Sequence, residues 1–228
     1  MKKLGLLFFV LLYSILLHAQ ELSTPNFDQN NYPQFSINLY VLGKARSSAD
    51  TFFDEGERFE RVGDYKASAE LFSKAATAYL HNKKMLRYGT ALLRLSNAHL
   101  LANQYLKAEQ IVLKQALRTF SRIGSKSGQM AAYQQLAKIY AASNKLTQSL
   151  WFYTQQGLLA QELHDSHSQI ESMLGIANIK IRKKDYALAS KDLNAVELLC
   201  KNTNTQQYSQ QIKQHRAVIA EKTQSKKS

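Results

Sequence analysis

The chain is poor in residues that interrupt or cross-link a fold. It has 2 prolines in 228 residues, and both, Pro25 and Pro33, lie near the start. Nothing from Gln34 to Ser228 therefore breaks a helix by removing a backbone donor. A single cysteine, Cys200, excludes an internal disulfide. Beside Leu198 and Leu199 it reads as a small buried hydrophobe rather than a reactive thiol. Long apolar runs are equally scarce. The one present, Leu4 to Leu17, has fourteen residues, short of the roughly 18–20 that span a bilayer. Lys2 and Lys3 precede it and His18-Ala19-Gln20 offers a small residue at a cut, so residues 1–19 read as a secretory signal peptide. No cysteine follows that run, which argues against a lipid anchor. The expectation is an exported protein, periplasmic or secreted, without a membrane-spanning segment after cleavage.

Catalytic signatures are missing too. There is no G-x-S-x-G, no H-E-x-x-H and no phosphate-cradling glycine loop. His164-Asp165-Ser166-His167 brings two imidazoles together, but a metal site needs a third ligand, and the stretch reads as a polar turn. Asp50, Asp54, Glu57 and Glu60 fall at helical spacing and read as a solvated acidic face, not as an acid–base pair in a dry cleft. His99 stands at an aromatic position within a helix and reads as a core histidine with one bonded nitrogen. No enzyme activity, cofactor or metal is expected.

Acidic residues are few, 17 against 30 basic, for a net charge of +13. Residues 20–88 carry nine of each sign, while residues 89–228 carry nineteen basic and eight acidic side chains. A basic half can hold nucleic acid, anionic lipid or an acidic protein. The exported destination and the lack of an aromatic–basic stacking motif count against nucleic acid.

What the chain does have is a repeat. Tyr65, Tyr105, Leu146 and Tyr186 are spaced 40, 41 and 40 residues apart. Three positions after each stands a small residue (Ser68, Ala108, Ser149, Ala189), and seven after, a bulky one (Phe72, Val112, Tyr153, Leu193). Nine positions before each stands another small residue (Gly56, Ser96, Ala137, Ala177), and thirteen before, a bulky one (Phe52, Leu92, Tyr133, Met173). A break precedes each anchor, at Gly63-Asp64, Asn103-Gln104, Asn144-Lys145 and Lys184-Asp185. Small residues at helical spacing let two helices approach, and bulky ones fill the holes toward the next pair. Each unit is helix, turn, helix, and cannot bury its apolar face alone.

This order of bulky, small, turn, aromatic, small and bulky resembles the tetratricopeptide repeat (TPR), most closely in "FFDEGERFERVGDYKASAELFSKA". The late alanine of that pattern is present as Ala75 but is Gln115, Gln156 and Val196 in the other units. The aromatic of the first helix is Phe59 and Tyr140, but His99 and Lys180 elsewhere. The period exceeds the roughly 34 residues of the common repeat and approaches that of HEAT repeats; the aromatic–small–bulky order favours TPR. Inter-unit stretches such as "RIGSKSGQ" are similar to the long-helix TPR regions of extracytoplasmic bacterial sensor proteins.

The resemblance implies an all-α, right-handed solenoid of about four TPR-like helix-turn-helix repeats with a C-terminal capping helix. The expected plan is a signal peptide at 1–19, an extended segment at 20–45 and a repeat domain at 46–203, with units at 49–88, 89–129, 130–169 and 170–203. A capping helix at 204–222 and a basic tail at 223–228 follow. Helices are expected near 46–62, 65–81, 85–102, 105–122, 127–143, 146–163, 168–183, 186–201 and 205–222.

In such arrays the first helices of successive units line a concave groove. The resemblance places there Leu93, Arg94 and Asn97, then Gln134, Gln135 and Lys138, then Leu174, Asn178 and Arg182. Asn97, Lys138 and Asn178 share one repeat position, where an amide can pair with an extended peptide backbone. The implied function is a non-enzymatic, exported scaffold that binds a protein or peptide segment. Two alternatives stay open: a ligand-sensing module serving a separate membrane signalling protein, and a binder of anionic polymer or lipid through the basic half.

Overall fold

The computed structural model describes residues 47–224. The signal-peptide and extended-segment expectations, and residues 225–228, lie outside the described residues. Those described are helical, with no strand among them. In order they form α1 (Ser48–Arg61), α2 (Tyr65–His81), α3 (Met85–Leu101), α4 (Tyr105–Ile111), a π turn (Val112–Ala116), α5 (Leu117–Arg122), α6 (Lys126–Ala142), α7 (Leu146–Glu162), α8 (Ser166–Arg182), α9 (Tyr186–Asn202), a 3-10 turn (Gln206–Tyr208) and α10 (Ser209–Gln224). Successive helices pack as antiparallel pairs, the all-α solenoid that the pattern predicts.

One device ends every helix within this stretch. Between each helical rod and the next, with Tyr105–Arg122 counted as one continuous rod, stand three residues, and the middle one is left-handed: Gly63, Lys83, Asn103, Gly124, Asn144, His164, Lys184 and Asn204 have φ between 52° and 82°. The residue after it donates its N–H to the carbonyl five positions back, as from Asp64 to Phe59 and from Lys145 to Tyr140. This double-bonded stop satisfies carbonyls that the helix end would leave bare. Several of the next helices are then started by a side chain: Ser47, Asp64, Ser125 and Asp165 each accept the N–H three residues on. Asp165 and His164 of the two-histidine stretch are thus accounted for as a helix cap and a turn residue.

Turns within and between units are the same length, so the extra residues of the long period must lie in the helices. Helices α2, α3, α6, α7, α8 and α9 each have 17 residues. Two such helices and two three-residue turns make the 40-residue period. The interval of 41 has a local cause. From Tyr105 to Arg122 the rod has one residue more, and Leu117 N–H bonds to the Val112 carbonyl, five residues back instead of four. The added residue is held as a π turn, and the register downstream shifts by one. The late-alanine position of this unit is therefore Ala116, which is fully buried, and not Gln115, which is exposed. By the same shift Phe120 takes the place that Tyr79 holds in the first unit; both are buried.

All eight small positions of the repeat are buried. They mark where the two helices of a unit touch. In the second unit the Ser96 hydroxyl donates to the Ala108 carbonyl at 3.0 Å; in the third the roles are exchanged, and Ser149 donates to the Ala137 carbonyl at 2.8 Å. At Gly56 a Cβ would sit 2.9 Å from the buried Phe72 ring, so that position has no room for a side chain unless the ring shifts. Where the aromatic of the first helix is replaced, a polar contact substitutes. Lys180 pairs with Asp192 of its own unit at 2.6 Å, and the half-buried His99 meets the Gln104 side-chain oxygen at 2.8 Å through Nδ1.

The array ends on α10, which packs as a fifth first helix. Tyr208, Ile212 and Ile219 are buried against α8 and α9. In α8, Ile170, Met173, Leu174, Ala177 and Ile181 join the cluster with α9. Forty residues on, the same positions are Gln210, Lys213, Gln214, Ala217 and Glu221, all exposed. A further helix would have nothing apolar to pack on, which is what a cap requires.

Candidate functional site

The first helices α1, α3, α6 and α8, followed by α10, form one face, and polar side chains bridge them at a nearly constant offset. Arg87 reaches Asp50 at 3.4 Å, Arg94 reaches Glu57 at 3.3 Å, and the Asn97 amide donates to Glu60 at 2.9 Å. Each pair is 37 residues apart, and so are Gln134 and Glu171, whose amide–carboxylate bond is 2.7 Å long. The constant offset follows from the repeat, since parallel helices one unit apart place equivalent turns side by side. At the far end the Tyr208 hydroxyl meets His167 Nδ1, and His167 Nε2 lies 3.5 Å from Glu171.

The acidic side chains of α1 are bridges as well as surface. Glu60 is 14% exposed as a side chain and receives both Asn97 and Arg94. Asp50 accepts from the Ser47 hydroxyl at 2.7 Å and from the buried Tyr79 hydroxyl at 2.6 Å. Those two bonds, aided by Arg87 and opposed by burial, hold its pKa at about 2 instead of 3.8. Tyr79 is pushed up to about 12 by burial and by the bond to Asp50. A carboxylate depressed in the folded state stabilises above its ordinary pKa and loses that contribution as pH falls through the folded value. The Tm should therefore drop between about pH 4 and pH 2, and Asp50→Asn should flatten that part of the profile, as differential scanning fluorimetry across pH would register.

The predicted groove residues separate into four groups. Leu174 is 1% exposed and belongs to the core cluster of α8 and α9, and Gln135 is 8% exposed; neither lies at the surface, contrary to expectation. The physical reason is helix phase: both project toward the neighbouring helices rather than along the face. Leu93 is half-buried against the core of the first three units. Arg94, Asn97 and Gln134 lie on the face but are engaged with Glu57, Glu60 and Glu171. Lys138, Asn178 and Arg182 are exposed. Arg182 bonds only neutral acceptors, the Ala141 carbonyl at 2.8 Å and the Asn144 side chain at 3.1 Å. Lys138 and Asn178 have no hydrogen-bond or ion-pair partner among the described residues. Asn97→Ala should thus cost about 1 kcal/mol by leaving Glu60 underpaired, whereas Lys138→Ala and Asn178→Ala should stay within about 0.5 kcal/mol of the parent; urea unfolding of the three variants checks this.

Sequence reasoning missed two features. Arg94 also stacks over the Phe72 ring, 5.3 Å from its centroid. A cleft of about 560 Å³ between α9 and α10, lined by Cys200, Lys201, Ile212, Lys213 and Arg216 among others, opens beyond the last helix pair. Cys200 is half-buried there, and burial together with Glu197 pushes its thiol up. Among the described residues no group of three or more His, Cys, Asp or Glu is placed to hold a metal ion. None of the described helices is long and apolar enough to cross a membrane.

No family model matches the sequence, and no curated protein matches it. Solved structures do. The chain superposes on RapI in its apo form with a TM-score of 0.65 at 10% identity, covering 77% of this chain and 64% of RapI. BtubC (BKLC) from P. vanneervenii gives a TM-score of 0.61 at 14% identity over 72% of this chain and 68% of that one. The TPR-like repeats of a Podosopora anserina kinesin light chain give 0.57 at 13% identity, over 79% of this chain and 99% of theirs. At such identities the likeness is one of fold, and the fold of this chain is the TPR-type helical repeat.

Proposed function

We propose that the protein is an exported, non-enzymatic scaffold that binds a protein or peptide segment on the face of its first helices. The observation that carries this reading is the split along that face. At its amino-terminal end Asp50, Glu57 and Glu60 close on Arg87, Arg94 and Asn97, whereas Lys138, Asn178 and Arg182 present exposed donors on α6 and α8. Amide and cationic donors on rigid helices can pair with a segment's carbonyls and carboxylates without rearrangement. The helical repeat fold supports a scaffold role, and export rests on the pattern of residues 1–19.

The test is cross-linking in the native cell through surface lysines, followed by affinity purification from the exported fraction and mass spectrometry. Cross-links from Lys138 to a co-purifying protein are the expected result. Cross-links confined to the outer face of α2, α7 and α9 would overturn the assignment of the binding face. Recovery of a chain that still begins at Met1 would overturn export.

A further inference from the structure

The outer side of α7 differs from that of the other second helices. Trp151 stands five residues after its anchor, Leu146. Its repeat counterparts are Glu70, Gln110 and Lys191, all exposed and polar. Gln155, the next position on that side, is matched by Lys74, Lys114 and Ala195. From Leu146 to Gln161 no residue is charged and none is histidine, although this half of the chain is strongly basic. The flanking charges are already paired, Lys145 with Glu109 and Glu162 with Lys126.

Trp151 is 53% exposed and is held from behind by other rings. Phe152 meets it at 4.6 Å and 89°, and Tyr133 at 6.4 Å and 75°, so neither ring lies flat on the indole. Phe152 in turn stacks on Tyr140 at 5.3 Å. The indole N–H has no partner among the described residues. Thr154, Leu158 and Gln161 continue the side that Trp151 opens, one to three turns further along. With Gln169 and Ser172 of α8 they line a cavity of about 170 Å³ whose walls carry no charged group. The two helices approach closely there, since a Cβ at Gly157 would come 2.7 Å from the Ser172 hydroxyl oxygen.

An exposed flat ring beside an uncharged hollow lined by amides and hydroxyls fits one class of ligand. A pyranose offers its C–H face to the indole and its rim of hydroxyls to the amides, each of which both donates and accepts. An ionic ligand would meet no opposite charge along this stretch. A protein interface has a contiguous apolar centre, whereas here Trp151 and Leu158 stand among Thr147, Gln148, Thr154 and Gln155. We infer that the outer side of α7 is a binding site for a neutral oligosaccharide. Trp151 carries one sugar ring, and the cavity between α7 and α8 holds the next. The site lies on a second helix, apart from the first-helix face proposed above.

Trp151 is the one tryptophan of the chain, so its emission reports on this site alone. The experiment titrates the full chain with tri-N-acetylchitotriose, cellotriose and trigalacturonate. At least one of the two neutral trisaccharides should shift the emission saturably, in the millimolar range and without dependence on salt; which of them binds tells whether an acetamido group is read. Trigalacturonate should leave the emission unchanged. By calorimetry, Trp151→Gln, which copies the exposed Gln110 of the second unit, should weaken binding about tenfold or more. Trp151→Tyr should keep it within about threefold, and Lys191→Gln on α9 should leave it unaltered. A parent-like Tm for Trp151→Gln separates lost contact from lost folding. Silence of both neutral trisaccharides, tighter binding of trigalacturonate, or an affinity indifferent to Trp151→Gln would overturn the inference. So would a protein that co-purifies through Trp151 while both neutral sugars stay silent. Each of those results would leave the first-helix face standing, because cross-links from Lys138 report on that face and not on α7.

Discussion

Deleting Gln115 should leave the protein about as stable as the parent, while deleting Lys74 should cost on the order of 4 kcal/mol or more. Both residues are exposed, and each lies about midway along the second helix of its unit. In a regular α-helix the loss of one residue turns everything beyond it by about 100° relative to what precedes it. Without Lys74, the buried Ala75, Ala76 and Tyr79 would leave the core, and the Tyr79 hydroxyl would lose Asp50. Displacing a cluster of that size and burying other groups in its place belongs to the severe class of changes. Gln115 sits in the π turn, where the register is already one residue long. Its removal lets the rod close as a regular helix and brings Ala116 and Phe120 to the spacing that Ala75 and Tyr79 have from their anchor. The Gln115 side chain takes with it one long, exposed hydrogen bond, accepted from the Tyr88 hydroxyl at 3.4 Å. Guanidinium unfolding of the two deletion variants decides the matter. Equal destabilisation would mean that the π turn is not what absorbs the additional residue.

Ala108→Arg is the second large effect. Ala108 is fully buried, and its carbonyl accepts the Ser96 hydroxyl where the two helices of the second unit touch. An arginine there would overpack the contact of the pair and bury a charge; the repeat equivalents Ser68, Ser149 and Ala189 are equally enclosed. A loss of about 4 kcal/mol or more is expected. The exposed neighbour serves as control: Lys107→Arg should change stability by less than about 0.5 kcal/mol. Circular-dichroism melting of both variants would show the contrast, and a parent-like Tm for Ala108→Arg would dissolve the repeat alignment of the second unit. Because array stability is a sum of units and interfaces, partial unfolding centred on α3 to α6 is the form the loss should take.

Where the helices lie was legible in the residues alone. For the eight helical rods before the cap, predicted and observed ends agree to about two residues. Helix ends are local, set by a left-handed residue such as Gly63 or Asn144 and a capping side chain such as Asp64 or Asp165. The eight small positions were legible for a similar reason, since they follow from the 3.6-residue turn and from the space two backbones need. The unit boundaries counted from the anchors fall one turn inside α3, α6 and α8, because the phase of the pattern does not mark the reversal of the chain.

Packing settled the rest. The spacing of 41 announced an additional residue, but whether a turn or a helix held it depended on contacts with α3 and α6, and Gln115 was read as the core position that Ala116 fills. The polar face was the least legible part. Asn97 and Lys138 share a repeat position, yet one is bonded to Glu60 and the other is exposed. A polar side chain's role is set by what the neighbouring helix offers 37 residues away, and a single sequence does not display that register. Leu174 and Gln135 turned inward for the same reason: their neighbours in space, not in sequence, determine whether they meet solvent.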